Sequence, residues 1–202
     1  MLAPVCNWRA IINQVCNLRL MSTKYTIKNN DSFYFLTFTT VQWVDVFSRQ
    51  IYRDVMIESL KHCQEHKGLH LHAYVIMTNH LHLIASAEKE NELSGIVRDM
   101  KKFTSKKIVK TMHEIEESRK GWMDWIFSSA GKFNYNNENY QVWQQSNHAT
   151  ELWSFEVIKQ KTDYTHYNPV RAGLVQLPEH WLYSSATNYA GLESLIDVDL
   201  LF

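Results

Sequence analysis

Between Leu69 and Ser86 the chain alternates in hydropathy twice, over Leu69–Met77 and again over His80–Ser86, with Thr78 and Asn79 between the runs. A period of two sends successive side chains to opposite faces of a strand, and a short polar link closes two such strands into an antiparallel hairpin. A hairpin is not stable alone, so this one commits the chain to a larger sheet with a covered face. The run SFYFLTFTTV, Ser32–Val41, is dense in aromatic and β-branched residues and supplies another strand.

Helical periodicity supplies the cover. After Ser48, read as an N-cap, the residues Tyr52, Val55, Met56, Leu60 and Cys63 recur at spacings of three and four, and Gly68 stands at the C-cap. Leu93, Ile96, Val97, Met100 and Phe103 form a second stripe, on a helix expected to continue toward Glu117. A segment near 120–139 holds Trp122, Trp125 and Phe127 before the polar run FNYNNEN, and reads as an insertion ending in a loop. Tyr140–Gln144 fits a short strand, and a helix with Leu152, Phe155 and Ile158 is expected from Thr150 until Pro169 stops it. These elements predict an α+β sandwich, helices covering a small antiparallel sheet.

The 202 residues suit a single domain over 21–202, with Met1–Leu20 as a peripheral leader in the manner of an upstream start. Asn7, Arg9, Asn13, Asn17 and Arg19 interrupt that leader, so it makes a poor signal peptide and no membrane span. Three unevenly spaced cysteines form neither a secreted disulfide framework nor a CxxC zinc site, which points to the cytoplasm. The 21 basic and 21 acidic residues balance, so a nucleic-acid surface, if present, is local. The place for it is Arg98–Lys110, where Arg98, Lys101, Lys102, Lys106, Lys107 and Lys110 face Asp99 alone and Phe103 is interleaved. A solvated helix face is the plain alternative.

Chemistry can reside in other places as well. His80 and His82 project from one strand face, where two imidazoles can grip a cation. With ten histidines in the chain the pattern is common by chance, and His70 and His72 repeat it. A two-residue loop places Val75 opposite His82 and, by strict alternation, sends His70 and His72 to the other face. Tyr164 and Asn168, four apart, share one helix face. A tyrosine with an ordinary pKa near 10 attacks phosphorus only with a metal or base nearby. The plain readings are a packing tyrosine and an asparagine that ends a helix before proline. Arg171 suits a phosphate contact or the surface, and the rings of WLYSS, Trp181–Ser185, suit core more than base stacking.

Taken together, YVIMTNHLHLI (Tyr74–Ile84) resembles the histidine, hydrophobic, histidine motif of the HUH nucleases. DYTHYNPVRAGLV (Asp163–Val175) is similar to the tyrosine motif of the REP-associated tyrosine transposases, IS200-like enzymes with a single tyrosine. RDMKKFTSKKI, VWQQSNH and WLYSS extend the likeness over roughly 21–191. The resemblance implies a ferredoxin-like fold with a central antiparallel sheet. It implies that His80, His82 and Asn168 hold Mg²⁺ or Mn²⁺ and that Tyr164 is the nucleophile. Hard Mg²⁺ favours oxygen, whereas imidazole suits Mn²⁺ better. The activity implied is a metal-dependent single-stranded DNA endonuclease and strand transferase, acting at hairpin-forming repeats through a 5′-phosphotyrosine intermediate. Its partner would be single-stranded or hairpin DNA, held by the basic helix, in a monomer or a homodimer according to whether the tyrosine helix folds back on its own sheet.

Two other readings predict different behaviour. A non-catalytic binder of DNA or RNA hairpins would need the basic helix and not Tyr164. A small metal-dependent hydrolase acting on a non-nucleic substrate would use the histidines and be indifferent to Tyr164.

Overall fold

In a computed structural model of the protein, residues 27, 29, 32–132 and 139–202 are described. The leader and the FNYNNEN run as far as residue 138 lie outside them. Four strands, β1 (Phe33–Thr39), β2 (Leu69–Ile76), β3 (His80–Ala87) and β4 (Thr150–Leu152), form an antiparallel sheet in the order β2-β3-β1-β4. Helix α1 (Gln50–Lys67) connects β1 to β2, with β3 inserted between them, which is the split βαβ arrangement of a ferredoxin-like sandwich. Helices α2 (Leu93–Glu114) and α3 (Lys120–Lys132) follow β3, and α4 (Phe155–Arg171) follows β4.

Alternation in β1 divides the interior into two layers. Tyr34, Leu36 and Phe38 point to the side covered by α1, α2 and α3, where they join Leu71, Leu83, Leu60, Met100 and Ile108 in the main core. Phe35 points to the other side and packs with Ala73, Ile84 and Leu152 beneath Val157 and Ile158 of α4. Met123, Ile126 and Phe127 of α3 are buried in the main core, so the helical part of the 120–139 segment is built into the domain.

The hairpin follows its sequence: Met77 N–H donates to the His80 carbonyl at 2.8 Å, and Val75 stands opposite His82. Helix α1 buries its expected stripe and ends at Gly68, whose φ of 66° is the left-handed conformation that a glycine adopts without strain. Its N-cap is Arg49, and Ser48 belongs to the preceding 3-10 turn.

Several expectations need correction. The pairing of β2 with β3 slips between Leu71 and Ala73, a bulge that accommodates His72. One extra residue re-phases everything before it, so His72 meets Phe33 (ring centres 4.8 Å apart) and Ser86, on the same face as His82 against Phe35. The second histidine pair therefore shares the face of the first. On α2, Phe103 is half exposed, and Thr104 takes the buried position, accepting the indole N–H of Trp143 at 3.0 Å. Tyr140–Gln144 forms no strand; it makes a single bridge, Trp143 to Thr40.

Thr150–Leu152 is strand, not helix, because its backbone pairs with Phe33–Phe35. Helix α4 starts after Ser154, which caps it by accepting the Val157 N–H at 3.3 Å. Pro169 does not stop the helix. It lies in the last turn, and the end comes at Gly173 (φ 72°), where Leu174 N–H donates to the Pro169 carbonyl and Gly173 N–H to that of Val170, both at 2.9 Å. This double closure is a Schellman motif, and it keeps Asn168 and Arg171 helical.

The stretch WLYSS lies along the free edge of β2. Ile76 N–H donates to the Tyr183 carbonyl at 2.9 Å, Ser185 N–H to that of Tyr74 at 3.0 Å, and the Trp181 indole to that of Ile76 at 3.0 Å. Its role is structural, with Tyr183 in the core and its hydroxyl donating to Asp54 at 2.6 Å.

Candidate active site

β3 presents His80 and His82 toward α4, and β1 supports them with Thr39 and Thr37 in register opposite. The imidazole centres are 5.0 Å apart. His82 is buried, stacked on Phe35 at 5.1 Å, and its Nδ1 is 2.9 Å from the Thr37 hydroxyl. Its Nε2 is buried with no partner. A protonated Nε2 there would be an unsatisfied donor, so the favoured form carries the proton on Nδ1 and an available lone pair on Nε2. His80 reaches the same state independently, since its Nδ1 lies 2.7 Å from the Asn79 amide oxygen, which can only accept.

Burial holds both rings neutral. The His82 pKa is pulled down to about 3, first by desolvation and then by its electrostatic interaction with His80 and Lys161, while desolvation lowers that of His80. Neutral imidazoles with Nδ1 anchored and Nε2 free are the form in which histidine ligates metal.

Tyr164, on α4, stands edge-on to His82 with ring centres 5.3 Å apart, and to Phe35 at 6.0 Å. It is about one-third exposed (37%), accessible to a polymer and backed by apolar surface. Helix α4 is pinned to β2 behind it, where His166 Nε2 lies 2.9 Å from the Ser185 hydroxyl and that hydroxyl accepts the Tyr74 N–H at 2.9 Å. Burial pushes His166 down to about 4, so this pin is uncharged at neutral pH. Asn168 is half-buried one turn beyond Tyr164 on the same helix face. The Arg171 guanidinium lies 5.3 Å from the Tyr164 ring centre.

These residues fit a divalent cation: two neutral imidazoles with free Nε2 lone pairs, one of them an orphaned buried atom, with an amide on the facing helix. Among the described residues no three His, Cys, Asp or Glu side chains cluster as a closed zinc site would need. His70 and His72 do not join the set. His72 is bonded through Nδ1 to the Asp199 carbonyl at 3.1 Å and through Nε2 to Ser86 at 2.9 Å, and His70 pairs with the Asp199 carboxylate at 2.9 Å.

The basic helix lies across the sheet from the histidines, in the main-core layer with α1. Arg98, Lys102, Lys106 and Lys107 are exposed on it. Lys101 is turned inward, its Nζ donating to the Gln144 carbonyl and the Asn147 amide oxygen at 2.7 Å each. Burial lowers its pKa to about 8, and it pins the 144–147 segment, whose Asn147 carbonyl accepts the Thr37 N–H at 2.9 Å.

Sequence reasoning missed Thr37, Phe35, Lys161 and Trp43. The first two lie in the recognised strand, but their partner strand and register cannot be read from it. Lys161 precedes Tyr164 by three, a helical spacing that marks a shared face. Trp43 is 60% exposed with its ring centre 6.2 Å from that of His80, and both it and Gln42 have positive φ, 56° and 50°. Consecutive left-handed non-glycine residues are strained, so the fold spends energy to hold that indole at the rim of the site.

A sequence model of the family described as "Transposase IS200 like" matches residues 28–145, more than half of the chain. The match includes both histidines and stops short of Tyr164. No curated protein is detectably similar in sequence. Among solved structures, a REP-associated tyrosine transposase bound to a REP hairpin aligns at 16% identity and a TM-score of 0.56, covering 90% of this chain and 94% of its own. A putative transposase from Deinococcus radiodurans R1 aligns at 17% identity and a TM-score of 0.43, covering 70% and 91%. The ferredoxin-like sandwich is thus shared with a solved transposase, the histidine hairpin lies inside the matched segment, and the chain belongs to the IS200-like transposase family.

Proposed function

We propose that the protein cleaves and rejoins single-stranded DNA beside hairpin-forming repeats, with Tyr164 as nucleophile. The observation that carries this reading is the Tyr164 ring set 5.3 Å from His82, whose buried Nε2 has no protein partner. His80, His82 and Asn168 would hold Mg²⁺ or Mn²⁺, which when bound supplies positive charge for a phosphate oxygen. Tyr164 Oη forms a bond to phosphorus, the P–O3′ bond breaks, and the phenolic proton ends on the departing 3′ oxygen. The products are a 5′-phosphotyrosine and a free 3′-hydroxyl. The reverse attack by a 3′-hydroxyl rejoins strands without ATP.

Phe35 and the pinned helix hold the phenol in place, so little orientation is left to be found at the moment of attack. Arg171 would contact a phosphate near Tyr164, and Arg98, Lys102, Lys106 and Lys107 would follow the backbone of DNA passing around the domain. The hairpin bound to the solved relative supports a hairpin as the recognised element. Because Tyr164 and His82 meet within one chain, a monomer would be competent.

The test is a denaturing gel of labelled single-stranded hairpin DNA, taken from the repeats flanking the gene, incubated with Mn²⁺ or EDTA. A covalent adduct is expected with Mn²⁺ and neither with EDTA nor from Tyr164→Phe or His82→Ala. Mixing the two variants should not restore it; restoration would mean that the site is shared between two chains. Tight metal-independent binding without any adduct would favour a non-catalytic hairpin binder, and metal-dependent turnover indifferent to Tyr164→Phe would move the nucleophile elsewhere.

A further inference from the structure

Helix α4 sets four polar side chains on one stripe beside its buried face: Lys161, Tyr164, Asn168 and Arg171, at helical spacings of three, four and three. Tyr164, Asn168 and Arg171 have roles in the proposed cleavage, and Lys161 so far has none. Its Nζ lies 4.8 Å from the centre of the Phe35 ring and 5.6 Å from that of Tyr164, so it stands over the two rings that flank His82. The side chain is half-buried. Among the described residues no carboxylate comes within ion-pair distance of it; the nearby Asp163 pairs instead with Lys159 at 3.5 Å. Arg171, on the other flank of Tyr164, has no acidic partner among them either.

An ammonium that gives up part of its hydration is held at a cost, and two ring faces offset only about 1 kcal/mol of it each. Other lysines of the domain show what a settled one does: Lys101 is satisfied by two oxygens, Lys159 by Asp163 and Lys110 by Glu114. Lys161 faces a site that contributes two neutral imidazoles and a phenol and no anion. Half-buried beside the site and without an acidic partner among the described residues, Lys161 is placed to meet an anion from outside, and the anion that a tyrosine nucleophile meets is a phosphodiester.

We propose that Lys161 is a catalytic residue whose ammonium contacts a non-bridging oxygen of the phosphate that Tyr164 attacks. The inference rests on the reading of Tyr164 as nucleophile. As the Oη–P bond forms and the P–O3′ bond breaks, with the phenolic proton ending on O3′, charge builds on the non-bridging oxygens; a fixed ammonium beside them stabilises that state more than the unreacted phosphate. Lys161 keeps its proton throughout. Arg171, across the ring, would hold the neighbouring phosphate and fix the strand's direction. The site thus selects a phosphodiester bracketed by a second phosphate, which a short single strand next to a hairpin provides.

The rival assignment is a lysine whose methylene stem merely covers Phe35. Lys161→Met keeps that stem and removes the charge, and Lys161→Arg keeps the charge. The measurement is single-turnover adduct formation on hairpin DNA with Mn²⁺, with melting midpoints taken alongside. The proposal expects Lys161→Met to slow adduct formation about 100-fold with an unchanged midpoint, and Lys161→Arg to recover most of the rate. A Met variant as fast as wild type overturns it, as does a slow Met variant that Arg fails to rescue. If wild type forms an adduct that Tyr164→Phe abolishes while Lys161→Met does not matter, only the Lys161 assignment falls; if wild type forms none, the nucleophile reading falls and takes this one with it.

Discussion

Two histidine pairs lie on the same face of one sheet, and only the β3 pair holds a buried ring nitrogen with nothing to bond. At the β2 end, both ring nitrogens of His72 are hydrogen-bonded and His70 is paired with Asp199. At the β3 end, His80 and His82 each anchor Nδ1 on a neighbouring oxygen, and the buried Nε2 of His82 has nothing to bond. Both are His-x-His on a strand, and each pair buries one ring, His72 in β2 and His82 in β3. Hydrogen-bond accounting separates a structural pair from a ligand pair, and spacing does not.

The comparison breaks most visibly by truncation. His82→Ala should reduce Mn²⁺-dependent adduct formation more than about 100-fold. His72→Ala should leave it within about threefold while costing about 1–3 kcal/mol of unfolding free energy, because the Asp199 carbonyl and the Ser86 hydroxyl lose their partner. Equal loss of activity in both, measured on the same hairpin DNA, would erase the distinction. A finer version removes the anchor rather than the ligand: Thr37→Val should weaken Mn²⁺ affinity about tenfold in a calorimetric titration, with no comparable effect from Ser86→Ala.

Trp43→Ala probes the rim. One stacked base contributes about 1–3 kcal/mol, so the lower end corresponds to roughly fivefold weaker binding of single-stranded DNA, read by anisotropy without metal. The smallest effect is on stability against pH. His82 and His72 both have folded pKa values below the unfolded value of about 6.5, so between these limits the unfolded chain binds more protons. Stability is full above that value and declines as pH falls below it. In EDTA the melting midpoint should drop by a few degrees from pH 7 to pH 5, and His82→Ala should flatten the decline.

Much of this was legible in the sequence where one local rule governs. The hairpin register, the α1 stripe and its Gly68 terminus follow from alternation, periodicity and the left-handed preference of glycine, and none depends on a distant partner. The misreadings fall where distant partners decide. Strict alternation put His70 and His72 on the wrong face because the bulge is set by how β2 meets β3. Thr150–Leu152 carries helical spacing yet pairs as strand, since β1 offers a free edge. Lys101 is indistinguishable from Lys102 in a basic run, but points at two oxygens that the chain brings back some forty residues later. Pro169 carried a general rule about helix interiors that lapses in a last turn closed by Gly173.

The strap made by Trp181–Ser185 bears on how the chain is made. The open edge of β2 at Tyr74 and Ile76 is closed by a segment more than a hundred residues downstream. During synthesis, at roughly 5–20 residues per second, β2 therefore waits several seconds with unpaired backbone groups before its cover emerges. In that interval the nascent sheet is open to pairing with another copy, and coexpressed chains cut before the strap should aggregate rather than simply lose activity.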